Sequence, residues 1–276
     1  MKTQKRLIKY ALVLFLAFTA ILVLNKPSNS IKEVKEENKN EEEIVKQDLA
    51  EKIINDNTII TKKIGFQNSI DNTEDDVGLY FLENKYFFRG KVINNYVSLN
   101  DDLWRIVSID ADMNVKLIKE EHLQEEYEYN HEDISYKYQD SEINKEMLKY
   151  YNKELLPFDE DIVVSEYCTT YNNNCLEKTK LKIGILSADE AIKAGYYPEV
   201  NTDNTYLAID SEWWLVYGNE YDSEIERNYA GYISLTGMMD KAFVDEQKMI
   251  RPVIVIKGTT KITGEGTIDD PYLVFK

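Results

Sequence analysis

Three features of the sequence predict an α+β domain with a mostly antiparallel, twisted sheet and a few short helices, preceded by an N-terminal membrane helix. Between residues 86 and 121, YFFRGKVINNYVSLNDDLWRIVSIDADMNVKLIKEE, short runs of β-branched and aromatic residues alternate with turn residues, as in an antiparallel meander. The late run Arg251-Pro252-Val253-Ile254-Val255-Ile256 is apolar at successive positions and reads as a buried strand of the same sheet, with Pro252 near its start. Helical spacing, by contrast, is confined to short stretches.

Lys2, Lys5, Arg6 and Lys9 precede an apolar run from Tyr10 to Leu24, the layout of an export signal. With Leu7 and Ile8 added and Lys9 snorkelling, the run reaches about 18 residues, enough to span a bilayer. Phe18 stands where cleavage after Ala20 would need a small residue. Residues 1–27 are therefore expected to remain as a signal-anchor in the cell membrane, basic end inside and the rest outside, with secretion after cleavage as the alternative. No Cys follows the apolar run, which argues against a lipid anchor. Residues 28–63, rich in Lys, Glu and Asn, read as a charged linker or stalk helix. Val45, Leu49 and Ile53 recur at four-residue steps and mark a short amphipathic helix over about 41–55. A solvated stalk is the expected role, with self-association through the stripe as the alternative. Residues 64–276 form the expected extracellular domain. Its chain carries 50 acidic against 33 basic residues, a net charge of −17, which argues against nucleic-acid binding and adsorption to anionic lipid.

Within the domain, strands are expected at 78–81, 86–92, 96–99, 103–109 and 115–118. In the fourth, Leu103, Val107 and Ile109 fall near one face and Trp104 and Ile106 on the other, so both faces are apolar apart from Arg105 and the strand belongs at the centre of its sheet. Asp110, Asp112 and Asn114 have the first ligand positions of a calcium loop, with Glu121 at the twelfth. Val115 stands at the sixth, where that loop needs Gly, so a plain hairpin turn is the better reading. Lysine is used almost everywhere, and Arg89, Arg105 and Arg251 are kept inside or at the start of strands. A planar fork is needed there, most simply to hold a carboxylate in a partly buried network; a ligand carboxylate or phosphate is the alternative.

Residues 121–140 are polar and Tyr-rich and read as a long surface excursion; His122 and His131, nine apart, are surface histidines rather than a metal pair. Ile143, Met147, Tyr150, Tyr151 and Leu155 have helical spacing, closed by Pro157. Cys168 and Cys175 lack zinc spacing, and outside the membrane they are expected to form a disulfide worth about 2.5 kcal/mol on the chain-entropy estimate. Ser187-Ala188-Asp189-Glu190 is a capping box opening a short helix that ends at Gly195, and the two acids suit its dipole better than an acid/base pair. A strand through Trp213, Trp214 and Tyr217 should send one indole into the core and the other to a groove or the surface, where it and Tyr217 would floor a ligand site. Strands at 229–235 and 272–275 complete the chain.

The ordered set Gly78-Leu79-Tyr80, Tyr86-Phe87-Phe88-Arg89-Gly90, Asn94-Asn95-Tyr96-Val97, Trp104-Arg105-Ile106-Val107, Ser187-Ala188-Asp189-Glu190, Trp213-Trp214, Arg251-Pro252-Val253-Ile254 and Gly264-Glu265-Gly266-Thr267 to Asp270-Pro271-Tyr272 resembles an uncharacterised family of extracellular surface domains of low-GC Gram-positive bacteria. The resemblance covers residues 78–276 and implies an N-terminal membrane segment. Some members carry a type IV prepilin leader; no Gly-Phe-Thr-Leu-Ile-Glu stands before the apolar run here, which argues against a pilin. A further resemblance, to C-type-lectin-like domains, concerns the fold alone. The combined expectation is a membrane-anchored extracellular binding or structural module of the cell envelope. It would meet a surface glycan or peptide and carry no cofactor, metal or nucleic acid. An envelope hydrolase using carboxylates and a pilin-like assembly subunit are the alternatives.

Overall fold

Strand β6 (Asp102–Ile109), the apolar run around Trp104, is the branch point of the main sheet. Along one edge it pairs antiparallel with β5 (Tyr96–Leu99) and then with β4 (Lys85–Arg89); along the other it pairs with β7 (Val115–Lys119). Beyond β4 lies β3 (Gly78–Leu82). Beyond β7 lie β16 (Val253–Ile256) and then β11 (Ile183–Gly184). From β5 the sheet runs through a parallel pairing to β18 (Tyr272–Val274), then β17 (Lys261–Thr263) and β1 (Gln47–Asp48), while β2 (Ile59–Ile60) adds in parallel to β3. The computed structural model describes residues 46–62, 76–131, 138–168, 178–198 and 200–275, with backbone alone at 168 and 217–220. Over these residues the protein is α+β, mostly sheet, with three short helices.

The central position expected for β6 is observed: Trp104, Arg105, Ile106 and Val107 are all buried. So is the return of the late apolar run, since β16 pairs with β7 and is buried at all four positions. A separate antiparallel sheet is made by β12 (Trp213–Asp222), β13 (Arg227–Ile233) and β14 (Met239–Phe243). Two small antiparallel pairs complete the strands: β9 (Ser165–Cys168) with β10 (Lys178–Leu181), and β8 (Tyr127–Glu128) with the sequence-distant β15 (Gln247–Lys248).

Helix α1 (Leu49–Asp56) corrects, for residues 46–62, the reading of residues 28–63 as a solvated linker; 28–45 and 63 lie outside the described residues. Leu49, Ala50 and Ile53 are buried in the core, and the backbone N–H groups of Leu49 and Ala50 donate to the carbonyls of Thr260 and Gly258. The Tyr272 hydroxyl donates to Asp56 at 2.7 Å. Leu49 and Ile53 of the four-residue stripe are therefore on a core face, while Val45 lies outside the described residues, and the domain includes residues from 46 onward rather than beginning at 64. The signal-anchor, 1–27, lies outside the described residues.

Helix α2 (Glu142–Tyr150) starts at Ser141, whose side chain accepts from the Asn144 N–H. It continues through a π turn, Tyr151–Leu155, into a 3-10 turn, Leu156–Phe158, that accommodates Pro157. Helix α3 (Ala188–Ala194) has the expected capping box, with Ser187 and Glu190 satisfying each other's backbone N–H, and it closes at Gly195 with φ 123°. The surface excursion expected at 121–140 is seen at 121, 124–126, 131, 139 and 140, which are exposed, but is overturned around residues 127–130 and at Tyr138. Tyr129 and Tyr138 are buried, the Tyr127 carbonyl accepts the Trp214 indole N–H at 2.7 Å, and Asn130 donates its N–H to the Val244 carbonyl. Acidic neighbours concealed this, because the strand that covers the segment, β15, is distant in sequence.

Candidate functional site

Both indoles of the Trp213-Trp214 pair are 0% exposed. Trp213 packs edge-on against Tyr196, and Trp214 edge-on against Tyr129 and Tyr232. The expectation that one of them faces a groove is overturned: Tyr196, just after α3, packs on Trp213, and Tyr129, just after β8, packs on Trp214, whose indole N–H donates to the Tyr127 carbonyl. Tyr217 lies in β12, and its side chain is outside the described set. No open floor forms at these tryptophans.

The arginines are structural ties, and their partners differ from expectation. Arg89 donates to the Ile192 and Lys193 carbonyls at the end of α3 and to the Tyr197 hydroxyl. Arg251, fully buried, donates to the carbonyls of Lys119, Leu207 and Glu120. Arg105 makes the expected carboxylate contact, with Nη1 3.3 Å from Glu120 Oε1; its Nε donates to Asn95 Oδ1 and its Nη2 to the Val92 carbonyl, and Arg251 Nη2 lies 3.8 Å from the other oxygen of the same Glu120. Irregular segments leave carbonyls without ladder partners, and a guanidinium fork satisfies two or three at once.

Arg105 and Glu120 contribute to the floor of an open cavity of about 700 Å³. One side is formed by Lys91, Val92, Ile93 and Tyr96, and the other by residues 201–210 with the β13–β14 turn at Leu235, Thr236 and Gly237. The two parts of that second side are locked together: the Thr202 N–H donates to the Thr236 carbonyl, and the Thr236 hydroxyl to Asn201. Gly237, at φ 73°, lies so close to Thr202 that a Cβ would come within 1.7 Å of its carbonyl oxygen, so only glycine lets the turn close on this loop. Ile93 and Leu235 stand at the rim 76% and 61% exposed. Lys91 and Asp203 form a loose ion pair there at 3.9 Å. Beneath them the Arg105 guanidinium stacks 3.8 Å from the Tyr96 ring and lies 5.3 Å from that of Tyr206. The Tyr206 hydroxyl is buried without a hydrogen-bond partner, and burial pushes its pKa up, so it stays protonated.

A second cavity, about 460 Å³, opens over Ser108, Lys116 and Glu190. Lys116 and Glu190 are ion-paired there. Burial works to raise the Glu190 pKa, but the Lys116 charge and the Ser187 hydrogen bonds outweigh it and hold the carboxyl below the usual glutamate range. Asp189 beside it is pushed up by its own burial. At the edge of this cavity Asp110 accepts the Asp112 and Asn114 N–H groups, and Met113 takes φ 64°, so the loop once suggestive of calcium is a side-chain-capped hairpin turn. His122 Nδ1 pairs with the Leu123 carbonyl and His131 Nδ1 with Glu128. Cys168 ends β9, while Cys175 falls in 169–177, outside the described residues, as does any bond between them.

Sequence reasoning found Arg105 but not Glu120, Tyr206, Ile93 or Leu235. Those four come from separate turns and strand ends, where no periodicity marks a role. No family model, no curated protein and no solved structure matches the chain.

Proposed function

We propose that the protein is a membrane-anchored extracellular binding module of the bacterial cell envelope, single-pass, with its C-terminal domain outside. The observation that carries the binding reading is the 700 Å³ cavity, which combines exposed apolar side chains at the rim with a buried polar floor, the make-up of ligand sites in general. The basic and apolar N-terminal sequence supports the anchor. A surface glycan or peptide is the partner class, on the cavity's mixed character. The disulfide between Cys168 and Cys175 belongs to this reading, as a clamp across the β9–β10 connection in an oxidising environment. The kinship to extracellular surface domains of Gram-positive bacteria rests on the ordered residue set given above. The C-type-lectin-like fold is supported by the tryptophans of β12 and Arg251, just before β16, both lying in the core.

The test is a glycan and peptide binding screen with the protein and its Ile93→Asp and Leu235→Asp variants. Binding that both variants weaken supports the reading. A silent screen together with cytoplasmic fractionation of the full chain rejects it.

A further inference from the structure

We propose that the 700 Å³ cavity recognises a carboxylate carried on a ligand with an apolar face, using Arg105 and Tyr206 at its floor; this rests on the binding reading above. The first support is the charge balance beneath the cavity. Arg105 and Arg251 are both buried, and Glu120 is the carboxylate between them, hydrogen-bonded to Arg105 and 3.8 Å from Arg251 Nη2. Two guanidiniums against one carboxylate leave a net positive charge in a poorly solvated place, where it acts more strongly than it would in water. Burial lowers the Arg251 pKa; of the charges around it, Glu120 favours the protonated form and Arg105 opposes it. The other charges at the cavity, Lys91, Asp203 and Asp210, lie at the rim. Lys91 and Asp203 are 65% and 82% exposed and are screened by solvent.

The second support is the donor inventory. A guanidinium has five N–H donors, and three of those on Arg105 are used, by Asn95, Glu120 and Val92. The Tyr206 hydroxyl, buried on the same cavity wall, has no acceptor. A buried hydroxyl left without a partner is unfavourable, and a ligand oxygen placed between it and Arg105 removes that penalty. The third support is the rim. Ile93 and Leu235 are far more exposed than their apolar surface favours, and each lines this cavity. An anionic group below an apolar contact matches a peptide C-terminus or a uronic acid, which share the carboxylate.

The test uses the full chain in detergent micelles and four probes in calorimetric titration: a short peptide ending in leucine, the same peptide amidated, glucuronate, and glucose. The free-acid peptide or glucuronate is expected to bind at least about tenfold tighter than its neutral counterpart, the value of one charge-assisted hydrogen bond. Which acid binds distinguishes the two sources. Tyr206→Phe should reduce that preference about fivefold while leaving the unligated protein folded, since its hydroxyl holds nothing in the free state. Arg105→Gln should abolish it; if that variant does not fold, the Tyr206→Phe result decides. Equal binding of acid and neutral probes, lost on Ile93→Asp, would overturn the carboxylate proposal and leave the binding reading standing. No binding by any of the four overturns the carboxylate proposal, and the wider screen described above then decides the binding reading.

Discussion

Replacing Leu49 by alanine tests whether residues 46–62 are domain or stalk. Leu49 is 0% exposed, at the start of α1, between the backbone of Thr260 and the core. Truncation removes the equivalent of three methylenes, about 2.4 kcal/mol at roughly 0.8 kcal/mol each. Incomplete collapse of the resulting void adds about 1 kcal/mol, for a total of roughly 3 kcal/mol, within the range of buried leucine truncations. In a domain of ordinary stability this is a large fraction of the whole. Urea unfolding of residues 44–276, followed by tryptophan fluorescence, should show the midpoint falling with the slope unchanged. Asn55→Ala, on the exposed face of the same helix, should move it by less than about 0.5 kcal/mol. If Leu49→Ala also moves it by less than about 0.5 kcal/mol, the helix is not part of the core and the argument fails. A chain starting at 64 extends the test. It lacks β1, α1 and β2, leaves edges of β17 and β3 unpaired, and should lose cooperative unfolding.

Three further outcomes follow from the ties described above. Arg251→Met should destabilise by about 3–5 kcal/mol, since three buried carbonyls lose their donor, and Arg251→Lys should recover little because one ammonium cannot reach all three; thermal unfolding reads both. Ser187→Ala should cost about 1 kcal/mol through the lost α3 cap, with α3 amides exchanging faster by NMR. Glu190 has a folded pKa below its unfolded value, so its stabilisation is complete above the usual glutamate range and is lost as pH falls through the folded value. Asp189, raised by burial, acts in the opposite sense, so the informative quantity is the difference between the wild type and Glu190→Gln. The urea midpoints of the two should converge as the pH is lowered from about 5 toward 3. A constant gap across that range would remove the Lys116–Glu190 pair from the account.

Local signals in the sequence survived folding where a short segment decides its own conformation. The capping box at Ser187 and Glu190, the β6 run and the Asp110 turn depend on neighbours within a few residues, and each has the form its residues suggest. Destination was harder to read. The Leu49 and Ile53 stripe correctly indicated an amphipathic helix, but the carbonyls that receive it belong to Gly258 and Thr260, so burial and solvation looked alike from the local sequence. Tyr129 sits among acidic residues and still goes to the core, because it packs against Trp214. The Trp213-Trp214 pair was misplaced for a related reason. Strand alternation exposes one face only when that face is uncovered, and here Tyr196 packs on Trp213 and Tyr129 on Trp214.

The arginines connect the fold to the site. A chain with 50 acidic residues has carboxylates to spare, yet Arg89 and Arg251 hydrogen-bond to main-chain carbonyls, and among the described residues no Asp or Glu is fully buried. Carbonyls are neutral, so this arrangement satisfies donors without cancelling charge. Burying a guanidinium this way is tolerable in a segment rich in unpaired carbonyls, but it leaves its positive field in the interior. At Arg89 the field is met by the C-terminal end of α3, which is the negative end of its dipole. Among the described residues, Glu120 is the carboxylate at Arg105 and Arg251, and it serves both. The buried Arg105–Arg251 pair with its shared Glu120 lies where the surface opens into a cavity with an unpartnered hydroxyl. Structural ties that stop short of neutrality next to an opening are a reason to look for an anion there, and they make Arg105 a tie and a recognition group at once.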